Sequence, residues 1–276
     1  MVSTSFRRAT VVSLGWTLFV ILWGAYVRAS GSGAGCGDHW PVCNGELIPR
    51  AASMQTVIEY THRVTSGVAL LLVLLVGVWS ARFQAPLLRR YALASVVLML
   101  TEAALGAWLV KAELVADNAT ASRAVAMAVH LINTFLLVAA MTLTSFHAFA
   151  GELTPRWRGR GAALTAAALS LVLVVGVSGA IAALGDTLVQ QSVHNDFVTL
   201  LIRLRILHPL LALVAVGALL LLGRLTWAAA PRWSVALWTL TVLQLMAGLI
   251  NVVLQAPVWM QLVHLGLADA VWMVSL

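Results

Sequence analysis

Four of the seven histidines stand where an imidazole could bind a metal inside a membrane. His62 lies in "EYTHRVTSGVALLLV", His208 in "RILHPLLALVAVGAL", His130 in "VHLINT" and His264 in "VHLGLA". The first two segments parallel each other, and so do the last two, so the histidines form repeat-related pairs, His62 with His208 and His130 with His264. Each half of the chain thus owns two histidines at similar depth on different helices, the arrangement by which a four-helix bundle holds a cofactor between facing side chains. One such histidine alone would read as a satisfied core residue; four in matched pairs point to ligation.

A bare zinc ion would want a third protein ligand, and neither half sets a Cys or carboxylate beside both histidines with comparable repetition. Haem iron is satisfied by one or two axial histidines, and its macrocycle suits Leu, Val and aromatic surroundings. One haem site per half is the economical reading. Propionates need cations, and Arg63, Arg203 and Arg205 are at hand; the competing role of each is snorkelling to an interface.

The repeat breaks at one informative position. Three residues before His62 stands Glu59, on nearly the same helix face, whereas three before His208 stands Arg205. A carboxylate next to an iron porphyrin can accept or relay protons, and an arginine cannot. The first half is therefore expected to do chemistry, with Glu59 as its catalytic candidate, and the second to hold a resident haem. The plainer reading of Glu59 is a helix-start charge favoured by the dipole. Glu102 lies mid-span and should have a polar partner or a proton path; its counterpart Gln244 favours a structural hydrogen bond. His39, His147 and His194 read as solvated residues, and no nucleotide-binding or hydrolase motif is present.

The elements that carry these residues are membrane helices. The chain is 61% hydrophobic and 10% charged, with a mean hydropathy of +0.95, more apolar surface than a soluble domain can hide. A span needs roughly 20 apolar residues, and eight runs qualify: 10–28, 57–81, 89–112, 124–150, 161–183, 199–226, 232–254 and 258–276. The parallels extend to "TEAALGAW" with "LQLMAGLI", and faintly to "WGAYVRASGSG" with "SGAIAALGD". A unit of four spans is even, so both copies enter from the same side and are related by an axis along the membrane normal. The expected fold is an all-α integral membrane protein of eight transmembrane helices, built as two pseudo-symmetric four-helix bundles over 1–153 and 154–276.

The net charge of +7 follows from loop placement. Arg7, Arg8, Arg82, Arg89, Arg90, Arg156, Arg158, Arg160, Arg224 and Arg232 fall at the amino terminus and in even-numbered loops. The positive-inside rule then puts both termini in the cytoplasm and odd-numbered loops outside. No A-x-A site follows the first apolar run, which is read as an uncleaved span. Cys36 and Cys43 lie in the first outer loop, where a pair is permitted to oxidise, and Gly37 and Pro41 allow a closed turn. A structural disulfide is expected; a zinc site would have only His39 and Asp38 to complete it.

With those residues in hand, the chain resembles the haem A synthase family over nearly its whole length. The resemblance is carried by "GAYVRASGSGAGCGDHWPVCNGELIP", "EYTHRVTSG", "RILHP" and the histidines of "VHLINT" and "VHLGLADA". It implies a cell-membrane oxidoreductase that converts haem O to haem A for terminal oxidase assembly, oxidising a ring methyl in two successive hydroxylations to a formyl group. Carried over by position, His62 and His130 would be axial ligands of the substrate haem, with Glu59 a catalytic carboxylate. His208 and His264 would ligate a resident haem b, and Cys36 and Cys43 would form a disulfide capping the substrate half. Contact with the enzyme that supplies haem O is a further expectation, as is self-association. Two other readings stand beside it: a bis-histidine membrane cytochrome b, for which Glu59 is incidental, and a haem transporter, which leaves the recurrence of the histidines unexplained.

Overall fold

The computed structural model describes residues 2–50, 52–151 and 159–276. Arg156 and Arg158, the side chain of Arg160 and the boundary between the two expected halves lie outside the described residues. Among the described residues the chain forms nine helices: α1 Thr4–Ala29, α2 Met54–Ser80, α3 Pro86–Lys111, α4 Ala121–Ala150, α5 Gly159–Gln190, α6 Asp196–Leu204, α7 Leu207–Thr226, α8 Pro231–Val253 and α9 Val258–Ser275. Counting Asp196–Thr226 as one span, eight are long and apolar enough to cross a membrane. No strand is present among the described residues beyond an isolated Cys43–Glu46 bridge.

The helix starts follow local chemistry. Ser3, Ser53, Thr120 and Asn195 each accept a backbone N–H from three residues on, satisfying a donor that the first turn leaves orphaned. Pro86 and Pro231 open α3 and α8, where the missing N–H costs nothing. Starting at Thr4, α1 draws in Arg7, whose Nε donates to Ala148 O at 2.9 Å and so closes the far end of α4.

The sixth span differs from the single helix expected over 199–226. It breaks at Arg205 and Ile206, directly before His208. Pro209 has no N–H for the carbonyl of Arg205 and its ring crowds that carbonyl; His208 N turns back to it instead, at 3.3 Å.

In the first half α1 packs on α2 and α4, α2 on α3, and α3 on α4; in the second α5 packs on α7, α7 on α8, and α8 on α9. The cores are apolar: Val20, Ala69, Val73, Met99, Leu137 and Met141 in the first, and Ala168, Leu219, Leu222, Leu237 and Val271 in the second. Outward residues such as Leu71 and Val78, 66% and 74% exposed, suit lipid. Because lipid removes the hydrophobic drive between helices, close packing and polar ties must join them.

Two ties cross between the halves. Arg28 of α1, partly buried, donates through Nη1 to Ala183 O at 3.0 Å and Thr187 Oγ1 at 2.7 Å. Its Nη2 donates to Gln261 Oε1 at 2.9 Å. Trp272 of α9 donates to Phe135 O of α4 at 2.7 Å, and the two rings meet edge to face.

Candidate functional site

All four paired histidines lie at the end of the bundle that carries the Cys36–Cys43 loop, on α2, α4, α7 and α9. In the second half the rings of His208 and His264 approach each other in a T-shaped arrangement, centroids 6.3 Å apart and planes at 87°. An imidazole–metal–imidazole sandwich with bonds of about 2 Å sets centroids about 6 Å apart. His208 Nδ1 lies 3.2 Å from Val175 O and 3.1 Å from Ser178 Oγ. Donation to the carbonyl fixes Nδ1 as the protonated nitrogen and leaves Nε2 as the free ligand atom.

Opposite three of these histidines, His62, His208 and His264, the neighbouring helix is cut back to glycine. A Cβ at Gly179 would meet His208 Cε1 at 2.9 Å, and one at Gly24 would meet His62 Cε1 at 2.9 Å. Gly24 and Gly179 sit in the two faintly parallel segments "WGAYVRASGSG" and "SGAIAALGD". At Gly248 a Cβ would come within 3.1 Å of His264 Cε1.

Nδ1 of His62, His130 and His264 is buried without a hydrogen-bond partner. Orphaned buried nitrogens are costly and call for a ligand or a local shift. The His130 side chain nevertheless remains 31% exposed, so its opening lies at the edge away from Nδ1. Among the described residues no three His, Cys, Asp or Glu side chains converge to hold a bare metal ion. The donor set therefore fits a group that brings its own equatorial ligands and asks for imidazoles alone, as a haem does.

Glu59 and Arg63 serve the loop in this structure. Glu59 is 3% exposed; its Oε2 accepts from Cys36 N at 2.8 Å, and its Oε1 accepts from Arg63 Nε at 3.1 Å and Nη2 at 2.5 Å. Arg63 Nη1 donates to Val42 O at 2.7 Å and also to His39 O. Both residues expected to face a haem are thus fully engaged with each other and with the segment that closes over the first half. Cys36 and Cys43 are disulfide-bonded, with sulfurs 1.99 Å apart, which removes the thiolates that a zinc site would need. Gly35 brings this segment against α2: a Cβ there would stand 2.4 Å from the Gln55 backbone, and its carbonyl accepts from Thr56 Oγ1 at 2.7 Å.

The remaining candidates fall in different places. Arg205 pairs with Asp186 at 3.0 Å at the surface, and Arg203 is exposed on α6. Glu102 has the polar partners its depth demands: Asn133 Nδ2 donates to it at 2.6 Å, and the Thr134 hydroxyl donates to its other oxygen. His39 and His194 are exposed. His147 is not solvated as expected: it is 3% exposed, stacked on Tyr91 at 5.3 Å, with Nδ1 2.9 Å from Gly151 O. It caps the α4 terminus where Gly151 turns the chain at φ 82°.

Three functional-grade residues were missed. Arg123 is charged yet buried, with Nη1 donating to Asn118 O at 2.9 Å, and Arg28 is partly buried and bonded across the halves. Asp269 is 3% exposed with Oδ2 unpartnered. Arg28 and Asp269 lie within the apolar runs 10–28 and 258–276, and ionisable residues in such runs are retained for a reason.

The sequence profile of the COX15-CtaA family, described as cytochrome oxidase assembly proteins, matches residues 7–276. The chain belongs to that family. A Thermus thermophilus protein named protoheme IX farnesyltransferase is 46% identical over 283 residues, covering 94% of this chain and 45% of the relative. A heme A synthase of Shouchella clausii is 41% identical over 103 residues, 37% of this chain and 34% of that protein. One of Bacillus cereus is 44% identical over 92 residues, 33% and 30% respectively. The chain therefore spans less than half the length of these relatives.

Proposed function

We propose that this member of the family is a haem A synthase of the cell membrane, taking haem O as substrate and oxidising one ring methyl to a formyl group. Each of two hydroxylations replaces a C–H by a C–OH and removes two electrons from that carbon, so each needs an oxygen atom from dioxygen or water and an external two-electron acceptor; loss of water from the resulting hydrate leaves the aldehyde. His62 and His130, in the half 1–153, hold the substrate. His208 and His264, in the half 154–276, hold a resident haem b, which when bound supplies one-electron chemistry. The observation that carries this reading is the approach of His208 and His264 to 6.3 Å between ring centroids, repeated in sequence by His62 and His130 within a chain that the family profile matches almost end to end.

The protein's own part is positioning. Gly24 and Gly179 leave room for the imidazoles, Val175 O orients His208, and the Glu59–Arg63 pair fastens the Cys36–Cys43 segment over the first site and keeps water out. For Glu59 to act on substrate it must leave Arg63 and Cys36 N, so its role in this proposal is first that of an anchor. Both termini lie in the cytoplasm and the disulfide loop outside, as the arginine distribution favours.

The Thermus relative's name denotes farnesyl transfer to protohaem, and more than half of that protein lies beyond the matched part. A physical pairing of this chain with a haem-farnesylating enzyme is accordingly part of the proposal. The test is co-expression with a haem O source, followed by chromatographic identification of the extracted haems: haem A must appear. A second reading, a bis-histidine electron-transfer cytochrome, is favoured by the full engagement of Glu59. It requires two permanently bound b haems and no haem A.

A further inference from the structure

Glu102 and Gln244, paired by the repeat, each reach a histidine, but not in the same way. Glu102 Oε2 lies 3.4 Å from Nδ1 of His130. Gln244 Nε2 lies 3.4 Å from Nε2 of His264. In the first half a carboxylate thus stands at the buried ring nitrogen, and in the second an amide stands at the other one.

The carboxylate is held in place by the helix that carries the histidine. Asn133 and Thr134, three and four residues beyond His130 on α4, both donate to Glu102. Asn133 is fixed in turn, donating to Leu98 O at 2.9 Å and accepting from Thr101 Oγ1 at 2.7 Å. The matching positions after His264 are Leu267 and Ala268, which cannot donate from their side chains. This network therefore belongs to the first half alone. A propionate would be repelled by the charge of Glu102.

We propose that Glu102 is a positioning residue for His130, accepting the Nδ1 proton in a hydrogen bond when Nε2 binds iron. His130 Nδ1 has no hydrogen-bond partner as it stands, and a shift of about half an ångström brings the 3.4 Å separation to a charge-assisted hydrogen bond. A carboxylate on the far nitrogen fixes the tautomer and makes the imidazole a stronger donor. Such a ligand stabilises oxidised iron and so lowers the midpoint potential of the haem it holds. The inference rests on the haem-binding reading above.

Spectroelectrochemical titration of the purified protein loaded with both haems tests it. The haem lost in His130→Ala marks the first site, and the one lost in His264→Ala marks the second. Glu102→Gln, which copies the residue of the second half, is expected to raise the midpoint potential of the first haem and leave the second unmoved. The double variant Asn133→Leu, Thr134→Ala, which keeps the carboxylate but frees it, is expected to shift the same haem in the same direction by less; it carries the test should Glu102→Gln fail to accumulate. Unchanged potentials overturn the proposal alone. A parent protein whose first half takes up no haem overturns the reading beneath it as well.

Discussion

Gly24 lies against the imidazole of His62, so that a Cβ on the glycine would stand 2.9 Å from the ring. Gly24→Ala must push that ring aside or tilt α1 away from α2, an overpacking that costs about 1–3 kcal/mol. We expect about 10- to 100-fold weaker retention of haem O in this variant, read from pigment bound after purification, with the second haem retained. Gly179→Ala should do the converse.

His208→Ala and His264→Ala remove one face each of the second site. The haem b spectrum is expected to vanish or to turn five-coordinate in both, with no compensating ligand, since no third His, Cys, Asp or Glu converges there among the described residues. A six-coordinate spectrum unchanged in either variant would show that the iron sits elsewhere.

Glu59→Ala leaves the partly buried Arg63 without its carboxylate and Cys36 N without its acceptor. Losing one partner of a buried pair costs about 3–5 kcal/mol, and here the loss is local to the loop. Amide hydrogen exchange should therefore accelerate at residues 36–44 while α3 and α4 stay protected. A loop as protected as in the parent would show that the anchor is not Glu59.

Arg28→Met should separate the halves more than it disturbs either. Its acceptors are Ala183 O, Thr187 Oγ1 and Gln261 Oε1, and hydrogen bonds to a charged group are worth about 1.5–3 kcal/mol each. Thermal unfolding in detergent is expected to become biphasic or to shift down.

Asp269→Leu should have the opposite sign. The carboxylate is buried with an unpartnered oxygen, so replacing it with a side chain of similar size is expected to stabilise by about 1–3 kcal/mol. A drop in melting temperature would point to a partner for this group.

Much of this architecture is legible in the sequence. Eight spans follow from hydropathy, because a helix that must face lipid has few ways to hide polar groups. The histidine pairs follow from repetition, and the cysteine bond from two residues sharing one loop. What escaped was long-range pairing. Arg63 stands four residues after Glu59, a spacing plain to see, yet the third member of that group, Cys36 N, depends on a loop folding back across 23 residues. The acceptors of Arg28 lie 155 to 233 residues away. The break before His208 was written in Pro209, and the burial of His147 in Gly151; both signals were local, and hydropathy alone passes over them.

The indole of Trp272 and the carbonyl of Phe135 fasten α9 to α4, and these are the helices that bear His264 and His130. One histidine from each half is thus mounted on a shared strut. If the proposal holds and a tetrapyrrole binds beside His130, a tilt of α4 would pass through this contact to α9. Occupancy of the first site is then expected to change slightly the light absorbed by a haem at the second.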